Sequence, residues 1–184
     1  MEDARVSFLK RTVKGVFESM GVAIRVSTKK EHEPTVKVLD KTRGQVKSSP
    51  ILSWLNGLEE RSDFDILMGL IEEDLYSDSH PSLNFIFGEA EVGGKCCIVS
   101  TCRLQVTARE KKDARELLYL ERIGKEIVHE TCHVLGMRHC NDRCCIMYFS
   151  NSIINTDDKD IHPCDTCARQ ILKLIEKRKE KSIN

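Results

Sequence analysis

The segment from His129 to His139 carries residues that can hold a metal ion and use it in hydrolysis. On a helix, His129 and His133 lie four positions apart, so both rings project from one face and can share one metal. Gly136 can adopt a positive φ and end the helix, which makes His139 available as a third ligand. Three protein ligands leave a fourth position open for water. Glu130 is placed to take a proton from that water.

The shorter pattern H-E-x-x-H also arises by chance on solvent-exposed helices, so it is weak evidence alone. Here Gly136 and His139 extend it in register to H-E-x-x-H-x-x-G-x-x-H. The longer pattern favours a metal site of the catalytic type.

Cysteines are concentrated directly after the histidines: Cys140, Cys144, Cys145, Cys164 and Cys167. A C-x-x-C pair with an earlier cysteine pair is a common way to surround zinc with four thiolates. Spacing predicts Cys164, Cys167 and Cys140 as ligands but does not choose between Cys144 and Cys145 for the fourth. The alternatives are a disulfide, buried free thiols or a redox pair. The charged N-terminal residues predict no signal peptide, and a reducing compartment favours metal over disulfides.

The two predicted metal sites share backbone, because Cys140 follows His139 directly. Anchoring Cys140 would restrict His139 and reduce the entropy lost when the third histidine is ordered. We therefore expect the second metal to be structural in role and coupled to the first.

The whole pattern resembles the archaemetzincins, a branch of the metzincin metallopeptidases. The extended zinc motif is typical of metzincins, and the four-cysteine signature is typical of this branch. The resemblance covers roughly residues 40–170. Outside the metal motifs it is carried by Arg43-Gly44-Gln45, by 83–90 (LNFIFGEA), by 99–104 (VSTCRL), by Asn151-Ser152 and by Thr156-Asp157.

The resemblance implies a role for each motif residue. It makes His129, His133 and His139 the ligands of a catalytic zinc and Glu130 the general base. It assigns a second, structural zinc, so that two zinc ions are expected per chain. Met147 matches the methionine of the Met-turn, which forms an apolar floor below the histidines; an ordinary core residue is the compatible alternative. The implied ligands of the structural zinc are Cys140, Cys145, Cys164 and Cys167.

The chain departs from the wider metzincin pattern at three places. Several metzincin branches have a tyrosine two residues after the Met-turn methionine, whereas this chain has Phe149, which lacks a hydroxyl group. A first β-strand expected near the N-terminus is weak in the sequence, because the chain opens almost directly with a helical pattern. Cys132, which precedes His133, stands where glycine is frequent in metzincins and is expected to pack beside the site without binding metal.

Hydrophobic periodicity predicts strands interleaved with helices, and therefore a mixed sheet backed by helices. The resemblance implies the same layout, an α+β fold of the metzincin type with a mostly parallel twisted sheet. Helices are expected at 5–20, 50–58, about 109–136 and about 164–180. Strands are expected at 22–26, 64–71, 83–87 and 97–100, with 64–71 central and buried. One domain is expected over residues 1–184, with an upper lobe at about 1–136. The lower lobe, at about 137–184, is cysteine-rich and stapled by zinc.

In the implied fold, the strand before the last sheet strand forms the upper rim of a cleft. An exposed strand edge can pair with an extended peptide through backbone hydrogen bonds. The alternative is an edge strand without a ligand. The residues predicted to bind substrate in this way are Asn84, Phe85, Ile86, Phe87 and Gly88.

Composition limits the possible partners. The 184 residues include 29 Lys and Arg and 29 Asp and Glu, so no net charge favours nucleic acid. No apolar run is long enough to cross a membrane. We expect a soluble, cytoplasmic, monomeric zinc metallopeptidase, in which water bound by zinc and deprotonated by Glu130 hydrolyses peptide bonds. The alternatives are a hydrolase of another amide and a zinc-binding protein without proteolytic activity.

Overall fold

The structure, a computed structural model, describes residues 3–29, 34, 38–106 and 112–183. Five α-helices are present in this part of the chain: α1 Ala4–Ser19, α2 Ser48–Asn56, α3 Lys112–Leu135, α4 Ile153–Asp158 and α5 Asp165–Ile183. Two 3-10 helices span Glu59–Asp63 and Cys102–Leu104. The strands are β1 Leu39–Asp40, β2 Gln45–Lys47, β3 Leu67–Ile71, β4 Leu75–Tyr76, β5 Gly88–Ala90 and β6 Cys96–Ser100.

The strands form two small mixed sheets where one sheet was expected. In one sheet the order is β3-β6-β5, and in the other it is β1-β2-β4. Each sheet has one parallel and one antiparallel pair among the described strands. A single bridge between Leu75 and Ile86 links the two sheets. The predicted α+β class with a mixed sheet is confirmed, although parallel pairs do not predominate.

Three strand predictions differ from the structure. Residues 22–26 form no strand, although Val22, Ile24 and Val26 alternate with exposed residues and pack on the core. The prediction of a strand is wrong here, because a pattern with a period of two indicates which side chains face the core but not whether the backbone has a pairing partner. The predicted strand at 64–71 begins only at Leu67 and lies at a sheet edge, where Leu70 is 48% exposed.

The third difference concerns 83–87, where the structure has only the Ile86 bridge. The backbone carbonyl of Asn84 accepts hydrogen bonds from the side chains of Arg43 and Gln45. A carbonyl bound to side chains is not available to a neighbouring strand, so regular pairing begins at Gly88.

The centre of the larger sheet is β6, which is buried along its whole length. Cys96 and Ile98 pack with α2, and by strand alternation Cys97 and Val99 face the opposite side, which contacts α3. The sheet therefore lies between α2 and α3.

Helix α3 carries the histidine motif, as predicted, although the expected first residues at 109–111 lie outside the described residues. Gly136 has φ +111°, and its N–H donates to the carbonyl of His133. The N–H of Met137 donates to the carbonyl of Cys132. These two bonds satisfy carbonyls at the helix end, and the positive φ at Gly136 turns the chain back. None of the described helices is long and apolar enough to cross a membrane.

Candidate active site and metal centres

The three motif histidines converge at the end of α3. His129 Nε2 lies 3.1 Å from His133 Nε2, which in turn lies 3.3 Å from His139 Nε2. His129 Nδ1 is 2.7 Å from the carbonyl of Ile146, and His133 Nδ1 is 2.7 Å from the carbonyl of Met137. A carbonyl accepts, so both Nδ1 atoms carry the proton and both Nε2 atoms present lone pairs.

Burial lowers the pKa of all three histidines. The pKa of His129 lies well below its usual value, and that of His133 is also lowered. For His139, burial and then the neighbouring His133 lower the pKa to about 4. Neutral imidazoles are the form that binds metal.

This donor set fits a zinc ion. Lone pairs of neutral imidazoles repel one another at the observed distances unless a cation lies between them. Nitrogens about 2.0–2.1 Å from a tetrahedral zinc lie about 3.4 Å apart. The separations of 3.1 and 3.3 Å between the Nε2 atoms are close to that value. The carbonyls of Ile146 and Met137 fix the ring tautomers, as expected for histidines that bind metal through Nε2.

Glu130 lies beside the histidines and is 4% exposed. Burial raises the pKa of Glu130 well above its usual value, and the charge of Glu126 adds to the effect. Gly88 of β5 faces this side chain: a Cβ atom added to Gly88 would lie 2.7 Å from Glu130 Cγ and Oε1. Glu130 is therefore held between α3 and the edge of the sheet.

Four cysteines form a second cluster, made of Cys140, Cys145, Cys164 and Cys167, whose sulfurs all lie within 4.8 Å of one another. The Sγ atoms of Cys140 and Cys164 are 3.9 Å apart. Sulfurs about 2.3 Å from a tetrahedral zinc lie about 3.8 Å apart, so this group also fits zinc. All nine cysteines lie in the described part of the chain, and none forms a disulfide there.

Backbone N–H groups support the sulfurs. The N–H groups of Met147 and Cys164 lie 3.4 and 3.3 Å from Cys145 Sγ. A hydrogen bond from the backbone of Cys167 lowers the pKa of Cys164, which favours the thiolate. Cys144, the alternative that spacing left open, is exposed and lies outside the cluster.

Met147 and Cys132 are buried in one core cluster with Cys145. Burial raises the pKa of Cys132 to about 12, so it remains a thiol. The ring of Phe149 lies 5.0 Å from that of His139 and is 39% exposed. Where several metzincin branches have a tyrosine, this chain thus has an apolar ring beside His139.

A polar seam between α3 and α4 was not predicted from the sequence. Glu126 and Lys159 form an ion pair 3.1 Å long, with side chains 3% and 0% exposed. Glu126 Oε1 also accepts a hydrogen bond from Thr156. One turn earlier in α3, the guanidinium of Arg122 donates two 2.7 Å hydrogen bonds to the carboxylate of Asp157. The available signal was spacing: Glu126 lies three residues before His129, on the same helix face.

The exposed edge of the larger sheet begins at Gly88, whereas the predicted rim was 84–88. Phe87 is 3% exposed, and its carbonyl accepts from Ser100. Glu91 N–H donates to Cys96, so alternation leaves the backbone groups of Gly88 and Ala90 pointing away from β6. In the described part of the chain no other strand pairs with β5. Of the five residues predicted to bind substrate, Gly88 alone lies on this edge and against Glu130.

Comparison with known proteins agrees with this geometry. A profile described as peptidase family M54 matches residues 13–173. The archaemetzincin of Methanopyrus kandleri is 34% identical over 171 residues, which is 93% of this chain and 90% of that protein. The chain belongs to peptidase family M54.

A second relative and a solved structure agree with this assignment. The archaemetzincin of Methanocaldococcus jannaschii is 40% identical over 130 residues, 71% of this chain and 68% of that protein. The crystal structure of the Methanopyrus kandleri archaemetzincin superposes with a TM-score of 0.79, covering 95% of this chain and 89% of that one. The predicted family and fold are confirmed, and the M54 chain is a zinc metallopeptidase.

Proposed function

We propose that this chain hydrolyses peptide bonds with Glu130 as general base and with His129, His133 and His139 as the ligands of a catalytic zinc. The observation that carries the proposal is the convergence of three neutral Nε2 atoms next to a buried carboxylate. When bound, zinc would polarise a scissile carbonyl and make water more acidic.

Glu130 performs the proton transfers in this proposal. Burial raises the pKa of Glu130, which makes its carboxylate a stronger base towards the attacking water, and the protonated carboxyl group can return the proton to the leaving amine. Gly88 allows the sheet edge to approach the carboxylate closely. The resulting contact keeps the base at one position.

The substrate is a peptide, as the family implies, and we propose that it binds in extended form along β5. The backbone groups of Gly88 and Ala90 point away from β6 and provide donors and acceptors for such a strand. This proposal moves the substrate-binding segment from 84–88 to 88–90, because Asn84 and Phe87 use their carbonyls within the protein.

We further propose that Cys140, Cys145, Cys164 and Cys167 hold a second, structural zinc. The sulfur separations support this ligand set. Elemental analysis of protein purified without chelator should give two zinc ions per chain. One zinc ion or none would contradict it. A cytoplasmic location and a monomeric state remain predictions, and sedimentation would test the latter.

A peptide-library digest tests the catalytic proposal. The parent protein, Glu130→Gln and Glu121→Gln are compared at equal zinc content. Glu121 is an exposed residue of the same helix, so its variant controls for the loss of one charge. We expect Glu130→Gln to reduce turnover by about 10²–10⁴-fold while it retains zinc, because a general base contributes that much.

Each other outcome has a defined meaning. Equal turnover by the parent and Glu130→Gln would mean that another base operates. No cleavage by the zinc-loaded parent would favour a zinc-binding protein without proteolytic activity. Cleavage of a different amide, with the same dependence on Glu130, would change the substrate class and retain the mechanism.

A further inference from the structure

Two of the three metal-binding histidines are positioned by the segment that carries the cysteine cluster. His139 is bonded directly to Cys140. The carbonyl that accepts from His129 Nδ1 belongs to Ile146, the residue after Cys145. Cys140 and Cys145 are both members of the four-cysteine cluster. His139 is thus adjacent to a cysteine of the cluster, and His129 is hydrogen-bonded to the residue that follows another.

Backbone hydrogen bonds close this segment. The N–H of Cys140 donates to the carbonyl of Met147 over 2.9 Å. The N–H of Met147 in turn lies 3.4 Å from Cys145 Sγ. The N–H of Ile146 donates to the carbonyl of His162, which lies two residues before Cys164. The backbone that leads to His139 and the backbone around Ile146 are therefore both hydrogen-bonded to residues in or near the cysteine cluster.

In the part of the segment that the structure describes, regular secondary structure is scarce. Residues 137–152 contain no helix and only an isolated bridge between Cys140 and Tyr148. The residues Asn141 to Cys144 are all exposed. Ile146 and Met147 are held by burial in the core, but Asn141–Cys144 are exposed, so the four sulfurs add a constraint on how this part of the segment returns to α3.

We propose that the four cysteines are positioning residues for the histidine site, so that metal held by the sulfurs strengthens metal binding by the histidines. The inference rests on the proposed pair of metal sites and adds a coupling between them. When the sulfurs are unconstrained, the carbonyl of Ile146 and the ring of His139 lose their fixed positions. Loss of partners that orient metal ligands commonly weakens metal affinity by about 10–100-fold. Coupling between two sites is reciprocal.

Cobalt binding by Cys164→Ser tests the proposal. Cys164 is in the cluster but is adjacent to none of the histidines, and the variant leaves Cys140 and Cys145 unchanged. Cys144→Ser is the matched control, because Cys144 neighbours Cys145 but is exposed and outside the cluster. Cobalt bound by thiolates has charge-transfer absorption that cobalt bound only by imidazoles lacks, so each site can be titrated separately.

We expect the histidine site of Cys164→Ser to bind cobalt about 10–100-fold more weakly than the parent. Cys144→Ser should bind at both sites as the parent does. An unchanged affinity at the histidine site, with the thiolate site lost, would overturn the proposal.

A reciprocal experiment covers the case in which Cys164→Ser fails to fold. His139 is exposed, so His139→Ala removes a histidine ligand from the surface. Starting from protein with both sites filled, a chelator should remove cobalt from the thiolate site of His139→Ala at a lower concentration than from the parent. Equal concentrations would contradict coupling. Neither arm measures peptide cleavage, so failure of the coupling is distinct from failure of the peptidase proposal.

Discussion

Gly88 of β5 faces the side chain of Glu130 so closely that the carboxylate occupies the space that a Cβ atom would need. A Cβ at this position would lie 2.7 Å from both Cγ and Oε1 of Glu130. The φ angle of Gly88 is not in the left-handed region, so glycine is needed here for space and not for backbone conformation. The sheet edge and the proposed base are thereby fixed relative to each other.

Gly88→Ala should reduce turnover strongly and leave zinc content unchanged. The added methyl group forces either Glu130 or β5 to move, and a displacement of about 1 Å in an active site can reduce the rate about 10²-fold. The measurement is kcat/KM on a cleaved peptide together with elemental analysis of zinc.

Gly15→Ala is the control for that experiment. Gly15 lies in α1, and a Cβ there would have nothing within 4 Å. This variant should raise stability by up to about 1 kcal/mol, because alanine is the better helix former, and should not change turnover. Equal activity of Gly88→Ala and Gly15→Ala would show that the Gly88 contact does not position Glu130.

Cys164→Ser should lower the melting temperature more than Cys144→Ser does. A structural metal contributes folding free energy, and a loss of several kcal/mol corresponds to a decrease of about 10 °C or more in a chain of this size. Thermal unfolding followed by circular dichroism, with and without chelator, is the measurement. Chelator should destabilise the parent and Cys144→Ser but have little further effect on Cys164→Ser. Superimposable melting curves for the three proteins would argue against a structural zinc at the four cysteines.

The histidine motif and the helix around it could be predicted because the residues that determine them lie close together in the sequence. Ligand spacing on a helix and the terminating Gly136 depend on residues within one segment. The spacing of the cysteines identified three of the predicted ligands, but only the family resemblance selected Cys145 over Cys144. The structure places Cys145 in the cluster and Cys144 outside it.

The rim segment could not be predicted at the level of single residues, because it depends on contacts distant in sequence. Asn84 and Gly88 both lie in a run with strand-like composition. What separates them is that side chains from β2 and the residues before it bind the carbonyl of Asn84. The buried pair of Glu126 and Lys159 likewise joins residues 33 positions apart; spacing places Glu126 on the helix face of His129 but does not identify Lys159 as its partner.

Asp74 should contribute to stability at neutral pH and lose that contribution in acid. Burial raises the pKa of Asp74, but hydrogen bonds from Arg103 and Gln45 and the charge of Arg103 outweigh it, so the pKa is lowered. A carboxyl group with a lowered pKa in the folded state stabilises the fold above its unfolded pKa of about 3.9, and the effect disappears as pH falls through the folded pKa.

Asp74→Asn should therefore melt at a lower temperature than the parent at pH 7, and the difference should shrink below about pH 4. Glu72→Gln, an exposed carboxylate on the same segment, is the control and should show a much smaller difference at neutral pH. A difference for Asp74→Asn that stays constant from pH 7 to pH 3 would contradict the role of the charge.

The Glu126–Lys159 pair should show strong coupling in a double-mutant cycle. Both side chains are almost completely buried, and the ammonium forms the ion pair without a well-aligned hydrogen bond. Lys159→Met leaves the buried carboxylate of Glu126 without its counter-charge, and Glu126→Gln leaves the buried ammonium of Lys159 without one. Breaking a buried pair from one side commonly costs about 3–5 kcal/mol.

In urea unfolding with both metals in excess, the double variant Glu126→Gln/Lys159→Met should lose less than the sum of the two single variants, by about 1–3 kcal/mol. The exposed pair Lys14–Glu18, 3.4 Å apart on α1 with both side chains about half exposed, is the matched control. Its coupling should be about 0.3–0.5 kcal/mol, because solvent screens it. Similar coupling energies for the two pairs would mean that burial does not strengthen the Glu126–Lys159 interaction. The seam between α3 and α4 would then hold through Arg122 and Asp157 instead.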